Sequence, residues 1–249
     1  MSVALSINVN KIALIRNSRP GNNPDLQQYA QQCIDLGCQG ITAHPRPDQR
    51  HIRASDVDPL AALCRLHPGV EFNIEGNPLE GALDDYPGFI TLVERAQPDQ
   101  CTLVPDSSDQ PTSDHGFDLT KTGALLTPII QNLKQRGVRV SLFMDPDLEQ
   151  IRLAKEVGAD RIELYTGPYA DAFIESTHEE LLDQHRAAGK LARSIGLGVN
   201  AGHDLNLENL PDYRSVPHLA EVSIGHAFTL DSLQMGIDKA MKAYLEILA

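Results

Sequence analysis

The sequence predicts a single-domain α/β protein, a closed (β/α)8 TIM barrel spanning residues 1–249. Three observations point there. A unit made of a helical stretch, a Gly-containing turn, a short apolar run and a polar residue recurs along the chain. About eight such units fit in 249 residues, the length typical of one such barrel. No Ser/Gly/Pro-rich linker divides the chain. An open doubly wound sheet is the runner-up, disfavoured because no G-x-G-x-x-G follows the first apolar run.

The elements follow in order. Leu5–Val9 is the first run; Leu36-Gly37 leads to the second, ending Ala43-His44, and Pro68-Gly69 to the third, Val70–Glu75. Gln100–Val104 is the fourth. Arg136-Gly137 precedes Val138–Asp145, Val157-Gly158 precedes Arg161–Thr166, Ile195-Gly196 precedes Gly198–His203, and Glu221–Ile224 closes the set. Glycine at those five turns suits a helix C-terminus that needs positive φ. The runs are short and rich in Val, Ile and Leu, as buried parallel strands are. Between them Leu125, Ile129, Ile130 and Leu133 fall at helical spacing, as do Ile151, Leu153, Ala154 and Val157. Leu233, Ile237, Met241, Tyr244 and Leu248 are expected on one closing helix. Two stretches read as irregular: Arg16–Pro24, and the polar, turn-rich 105–118 after the fourth run, which is expected to be a lid.

Composition narrows the function. With 21 Lys and Arg against 34 Asp and Glu, the net charge of −13 disfavours nucleic acid as a partner. Phosphorylated metabolites remain open, because one phosphate needs only a local cation and a few backbone N–H groups. No window approaches the roughly 18 apolar residues of a membrane span, and Met1-Ser2-Val3-Ala4 lacks a signal-peptide pattern. A soluble, cytoplasmic protein with no membrane partner is expected. Cys33, Cys38, Cys64 and Cys101 form no C-x-x-C pair and are expected as reduced thiols.

In a barrel, chemistry gathers at the C-terminal strand ends. Those ends carry Asn8, Asn10 and Lys11; His44 and Arg46; Glu75; Asp145; Tyr165-Thr166; Asn200 to His203; and Gly225-His226. Three histidines, a glutamate, an arginine and a lysine would share one mouth, a dense set of proton-transfer and anion-binding groups. Asp145, in Asp145-Pro146-Asp147-Leu148, reads as the cap of the next helix. Glu163, if it points inward, needs a cationic partner. His67 and His218 adjoin prolines, while His178 and His185 sit on a polar helical stretch where exposure is the default. His115 reaches the mouth only if its loop closes. The pairs Gly202-His203 and Gly225-His226 either hold a phosphate on backbone N–H groups or merely allow tight turns. A metal-dependent hydrolase using His44, His203, His226 and Asp145 is a rival reading; it lacks the paired H-x-H, and Arg46 would repel a cation.

These motifs together resemble the pyridoxine 5′-phosphate synthase family. They are Asn8 to Ala13 with Arg16-Asn17-Ser18-Arg19, Gly40 to Arg46 continuing to Arg50-His51-Ile52, and Leu103-Val104-Pro105. Further on come Val140 to Phe143, Tyr165-Thr166-Gly167 with Tyr169 to Ala172, Val199 to His203, and Ile224 to Ala227. The resemblance implies condensation of 3-amino-2-oxopropyl phosphate with 1-deoxy-D-xylulose 5-phosphate to pyridoxine 5′-phosphate, phosphate and water. It implies a homo-oligomer, commonly an octamer, with no metal or organic cofactor. By position it assigns acid–base roles to His44, Glu75 and His203. It assigns the amino-ketone phosphate to Asn8, Arg19, Gly202, Gly225 and His226, and the ketose phosphate to Asn10, Lys11, Arg46, His51 and Thr112. The chain departs from the family pattern at Asn10-Lys11, where Asp-His is usual. It departs again at Asp204, where a small residue is usual, and at Leu230-Asp231. A non-catalytic sugar-phosphate-binding relative is the alternative those departures raise.

Overall fold

Eight parallel strands close on themselves in chain order, so that β1 pairs with both β2 and β8. The computed structural model describes residues 2–107 and 110–249. The strands are β1 (Ala4–Asn8), β2 (Gly40–Ala43), β3 (Glu71–Gly76), β4 (Gln100–Leu103), β5 (Arg139–Met144), β6 (Arg161–Tyr165), β7 (Gly198–Gly202) and β8 (Leu219–Ile224). Each lies within a residue or two of its expected run. Helices α1 (Asn10–Asn17) and α2 (Leu26–Asp35) follow β1, and α3 (Ala54–Arg65) and α4 (Phe89–Ala96) follow β2 and β3. Then come α5 (Leu119–Gln135), α6 (Leu148–Glu156), α7 (Gly167–Ile174), α8 (Glu179–Ser194) and α9 (Leu210–Tyr213). Beyond β8 stand α10 (His226–Met235) and α11 (Ile237–Leu248). Gly37, Gly69, Gly137, Gly158 and Gly196, the five turn glycines, all take positive φ, between 78° and 105°.

Period-two alternation sorts each strand. Leu5, Ile7, Ile41, Ile74, Leu103, Leu142, Ile162, Leu164, Val199 and Val222 are buried members of the hydrophobic core. Ser6, Thr42, Asn73, Gln100, Thr102, Glu163, Asn200 and Glu221 are also buried, and they fill the barrel itself. Two hydrogen bonds require this. Thr102 on β4 reaches Glu163 on β6 at 3.4 Å, and Gln100 on β4 reaches Glu221 on β8 at 3.4 Å. Those strands are not neighbours, so the contacts cross the interior. At the N-terminal end Arg161 pairs with Glu221 at 3.2 Å, and Arg139 pairs with Glu71.

Several expectations are corrected. Glu163 does point inward, but among the described residues no cation pairs with it. Burial and the nearby Glu221 carboxyl push it up to about 8, so a proton meets the requirement in place of a cation. Asp147, not Asp145, caps α6: its Oδ1 accepts from the N–H groups of Glu149 at 2.8 Å and Gln150 at 2.9 Å. The helix begins only at Leu148, so Asp145 and Pro146 both lie ahead of its first turn. Arg16 and Asn17 belong to α1 instead of a loop. The buried stripe of α5 is Leu119, Gly123, Leu126, Ile130 and Leu133, and Leu125 is exposed. The expected closing helix breaks at Gly236, whose φ of 90° separates α10 from α11 and leaves Leu233 exposed. His185 is buried, with Nδ1 2.8 Å from the Tyr213 hydroxyl, because α9 covers that face of α8.

Candidate functional site

At the C-terminal end of the barrel opens a cavity of about 310 Å³. Its lining includes Asn8, Asn10, Lys11, His44, Arg46, His51, Glu75, Thr112, His203, Gly225 and His226. Arg19 is not among them; it is exposed beyond the end of α1. Gly202 lies just beneath, where a Cβ would stand 2.3 Å from Glu163 Oε1. A Cβ at Gly225 would stand 3.0 Å from Asn8 Cβ. Both glycines therefore make room for close approach, and neither has positive φ.

Glu75, at the end of β3, is buried on the cavity floor. Asn8 Nδ2 donates to its Oε2 and Asn73 Nδ2 to its Oε1, each at 3.3 Å. Desolvation raises its carboxyl well above the ordinary range, and Glu163, Glu221 and Asp106 add to this. Burial thus favours its protonated form. Asn8 in turn accepts from the Asn10 N–H at 3.0 Å through Oδ1, and Asn10 Oδ1 accepts from the His44 N–H at 3.0 Å. Two amides on consecutive turns of chain thereby set the positions of both Glu75 and His44.

His44 follows β2 and is buried. Desolvation lowers it to about 3, helped by Arg46, Arg50 and His203, so the imidazole is neutral. Its Nε2 lies 3.4 Å from Asp106 Oδ2, a contact between a neutral ring and a carboxyl whose cationic partner is Arg46. His51 packs edge-on to His44 with ring centroids 6.2 Å apart. It too is lowered to about 3, mainly by burial. Its Nδ1 accepts from the Ile52 N–H at 2.9 Å, so Nε2 carries the proton. Helix α1 holds this segment in place. Arg16 grips Asp56 with Nη1 at 2.6 Å and Nη2 at 2.9 Å, and Nη2 also donates to the His51 carbonyl at 3.0 Å. Asn17 Nδ2 donates to the same carbonyl at 2.8 Å.

Across the mouth, His203 stands after β7 with the Tyr165 ring edge-on at 5.3 Å. Its Nε2 lies 2.7 Å from Thr112 Oγ1 and its Nδ1 2.5 Å from Asp204 Oδ2. Thr112 belongs to the 105–118 segment, of which Ser108 and Asp109 lie outside the described residues. His115 stays outside the cavity, exposed and paired with Asp114 at 2.5 Å. Gly225, His226 and Ala227 bring the start of α10 to the rim; no side chain caps that terminus. Its first N–H groups are a ready anion site.

Sequence reasoning missed Asp106, and it named Glu163 and Asp204 without giving either a place in the site. Asp106 is buried beside Arg46 and His44 three positions after β4. The signal available was positional, since β4 was the one strand whose end had no candidate. For the metal reading, Asp145 does not line the cavity. Among the described residues no three His, Cys, Asp or Glu side chains are grouped to hold a metal ion.

Fold and site define a barrel enzyme whose cavity gathers histidines and a buried glutamate between cationic side chains and an uncapped helix N-terminus. Comparison with known proteins specifies it further. Residues 5–249 match the family described as pyridoxal phosphate biosynthesis protein PdxJ. A pyridoxine 5′-phosphate synthase of Xanthomonas campestris pv. campestris (strain B100) is 52% identical over 250 residues, covering 100% of this chain and 97% of that one. One from Xylella fastidiosa (strain 9a5c) is 49% identical over 245 residues, covering 98% and 94%. Among solved structures, thiamine phosphate pyrophosphorylase from Pyrococcus furiosus superposes with a TM-score of 0.60 at 14% identity, covering 99% and 95%, a likeness of fold alone. The chain belongs to the PdxJ family of pyridoxal phosphate biosynthesis proteins.

Proposed function

We propose that the protein condenses 3-amino-2-oxopropyl phosphate with 1-deoxy-D-xylulose 5-phosphate to give pyridoxine 5′-phosphate, inorganic phosphate and water. The observation that carries this reading is the convergence of His44, Glu75 and His203 on one cavity of about 310 Å³. Relatives about half identical over the full chain and named pyridoxine 5′-phosphate synthase support it.

The chemistry needs several proton-transfer groups. Joining amine to ketone requires proton donation to the departing carbinolamine oxygen; loss of phosphate, ring closure and aromatisation require protons to be taken and returned at different carbons. Burial favours the protonated form of Glu75, which suits it to donate first and to act as a base once it has given its proton. His203 has a ring nitrogen toward the cavity and acts as an acid–base group on the opposite side. His44 is neutral as it stands; a phosphate dianion beside Arg46 offsets that cation and raises the imidazole toward a working range.

Two phosphates call for two anion sites. Gly225, His226 and the first turn of α10 suit the amino-ketone phosphate. Lys11, Arg46 and His51 suit the ketose phosphate, with Thr112 bringing the 105–118 segment over it as a lid that excludes water. Arg19 joins the amino-ketone site only if its exposed segment moves or another copy supplies it. A cytoplasmic homo-oligomer completes this reading. Four buried, unpaired cysteines suit a reducing compartment, and exposed Leu14, Ile15, Leu230 and Leu233 on the neighbouring helices α1 and α10 suit association. No helix among the described residues is long and apolar enough to cross a membrane.

The test is to incubate purified protein with both substrates and quantify products. Pyridoxine 5′-phosphate and inorganic phosphate should appear together; binding of the ketose phosphate without product would make the chain a sugar-phosphate binder.

A further inference from the structure

We propose that Asp204 is a positioning residue for this reaction: its carboxylate fixes the His203 imidazole in the tautomer and orientation that present a basic Nε2 to the cavity. The inference rests on the proposed function, which gives His203 a proton to move. Asp204 Oδ2 lies 2.5 Å from His203 Nδ1. A carboxylate only accepts, so Nδ1 carries the proton and Nε2 keeps its lone pair. That lone pair meets the Thr112 hydroxyl at 2.7 Å, which donates to it. With Tyr165 packed edge-on against the ring, both nitrogens and one flank of the imidazole are specified.

The backbone shows how this contact between sequence neighbours arises. His203 and Asp204 both take positive φ, 79° and 60°. Non-glycine residues seldom hold that conformation, although Asp and His adopt it more readily than most, and two in succession need support from their surroundings. Thr166 Oγ1 donates to the Gly202 carbonyl at 2.8 Å and also to the His203 carbonyl, and Asn209 Nδ2 donates to the Asp204 carbonyl at 3.1 Å. Strain at two successive residues, held by side chains from two other segments, is placed where it turns a carboxylate onto a reacting imidazole.

The charged and titratable groups facing this pair are Lys11 from α1, His226 from the start of α10, His44 from the end of β2 and Tyr165 from β6. The His203 hydrogen bond, with His226 and Lys11 nearby, holds Asp204 below the usual carboxylate range and so keeps it an acceptor. In the step, Nε2 takes a proton from substrate, the imidazolium forms against the Asp204 carboxylate, and the same nitrogen later returns that proton; the Nδ1 proton stays throughout.

The test joins NMR with kinetics on the full chain. Histidine-labelled wild type, with His203 identified from a His203→Gln spectrum, is compared with Asp204→Asn and Asp204→Glu; the same proteins are assayed for pyridoxine 5′-phosphate over a pH series. Wild-type His203 should show the Nδ1–H tautomer. Asp204→Asn should lose it and lower kcat about ten- to a hundredfold, with KM for both substrates within about twofold. Asp204→Glu should recover most of both, and thermal midpoints should stay together because the Asp204 side chain is half exposed. An Nε2–H ring in wild type, or an Asp204→Asn protein with unchanged kcat and tautomer, or one with raised KM alone, would overturn the proposal. The spectra need no turnover, so a wild type that forms no product overturns the proposed function separately.

Discussion

Arg46 and Asp106 form a buried ion pair, Nη2 to Oδ2, that fastens the segment after β4 to the end of β2. Arg46 Nη1 donates to the carbonyls of Ser107 at 3.2 Å and Gln110 at 2.9 Å. Ser113 Oγ donates to Asp106 Oδ2 at 3.2 Å, and Asn77 Nδ2 to the Asp106 carbonyl at 2.8 Å. The guanidinium proposed to hold a phosphate is therefore also the tether of the segment proposed as a lid. A phosphate binding that fork competes with Asp106 for it.

Asp106→Asn should loosen the tether. Amide exchange across 110–118 is expected to quicken, while the barrel strands keep wild-type protection, because removing one partner of a buried pair leaves the other uncompensated. Equal exchange rates in the two proteins would show that the pair does not hold the segment.

Arg46→Ala should raise KM for the ketose phosphate by tenfold or more, about 1.4 kcal/mol, with a smaller effect on the amino-ketone. A KM change confined to the amino-ketone would reverse the assignment of the two anion sites. Lys11→His should cost less than about tenfold in kcat/KM if Lys11 serves as a hydrogen-bond donor and local positive charge; a larger loss would give the ammonium a further role.

The buried carboxyls set a pH dependence of stability whose sign is fixed. Glu163 is raised from an ordinary 4.5 to about 8 by burial and Glu221, and Glu75 is raised as well. Between those two values the folded chain keeps a proton that the unfolded chain has lost, so stability falls as pH rises and levels off above about 8. Glu163→Gln, which mimics the protonated carboxyl, should melt with wild type near pH 5. It should melt above wild type near pH 8, by about 2–4 °C for each kcal/mol recovered. A constant difference across that window would mean that Glu163 is ionised in the fold.

Much of this was legible in the sequence because it depends on local pattern. Five glycines at helix ends and eight short apolar runs carry the barrel, and reading the polar residue after each run collects Asn8, His44, Glu75, His203 and His226 at one mouth. What escaped depends on contacts between distant segments. Nothing local separates Asp145 from Asp147 as a cap, since Pro146 would suit the first helical position after Asp145. His185 sits in a polar stretch, and only the later α9, with Tyr213, buries it. The inward carboxyl at Glu163 suggests a cation until Glu221, 58 residues on, is seen to share the same interior. Asp106 sits in a turn-rich segment and gains its meaning from Arg46, 60 residues earlier.

The most direct test of the central claim, that proton transfer occurs in this cavity, is kcat of Glu75→Gln at saturating substrates. Glutamine has the shape of the protonated carboxyl that burial favours, so the variant should fold normally. The expected result is a fall of about a hundredfold or more with a near-unchanged melting temperature. Wild-type turnover in that variant would contradict it.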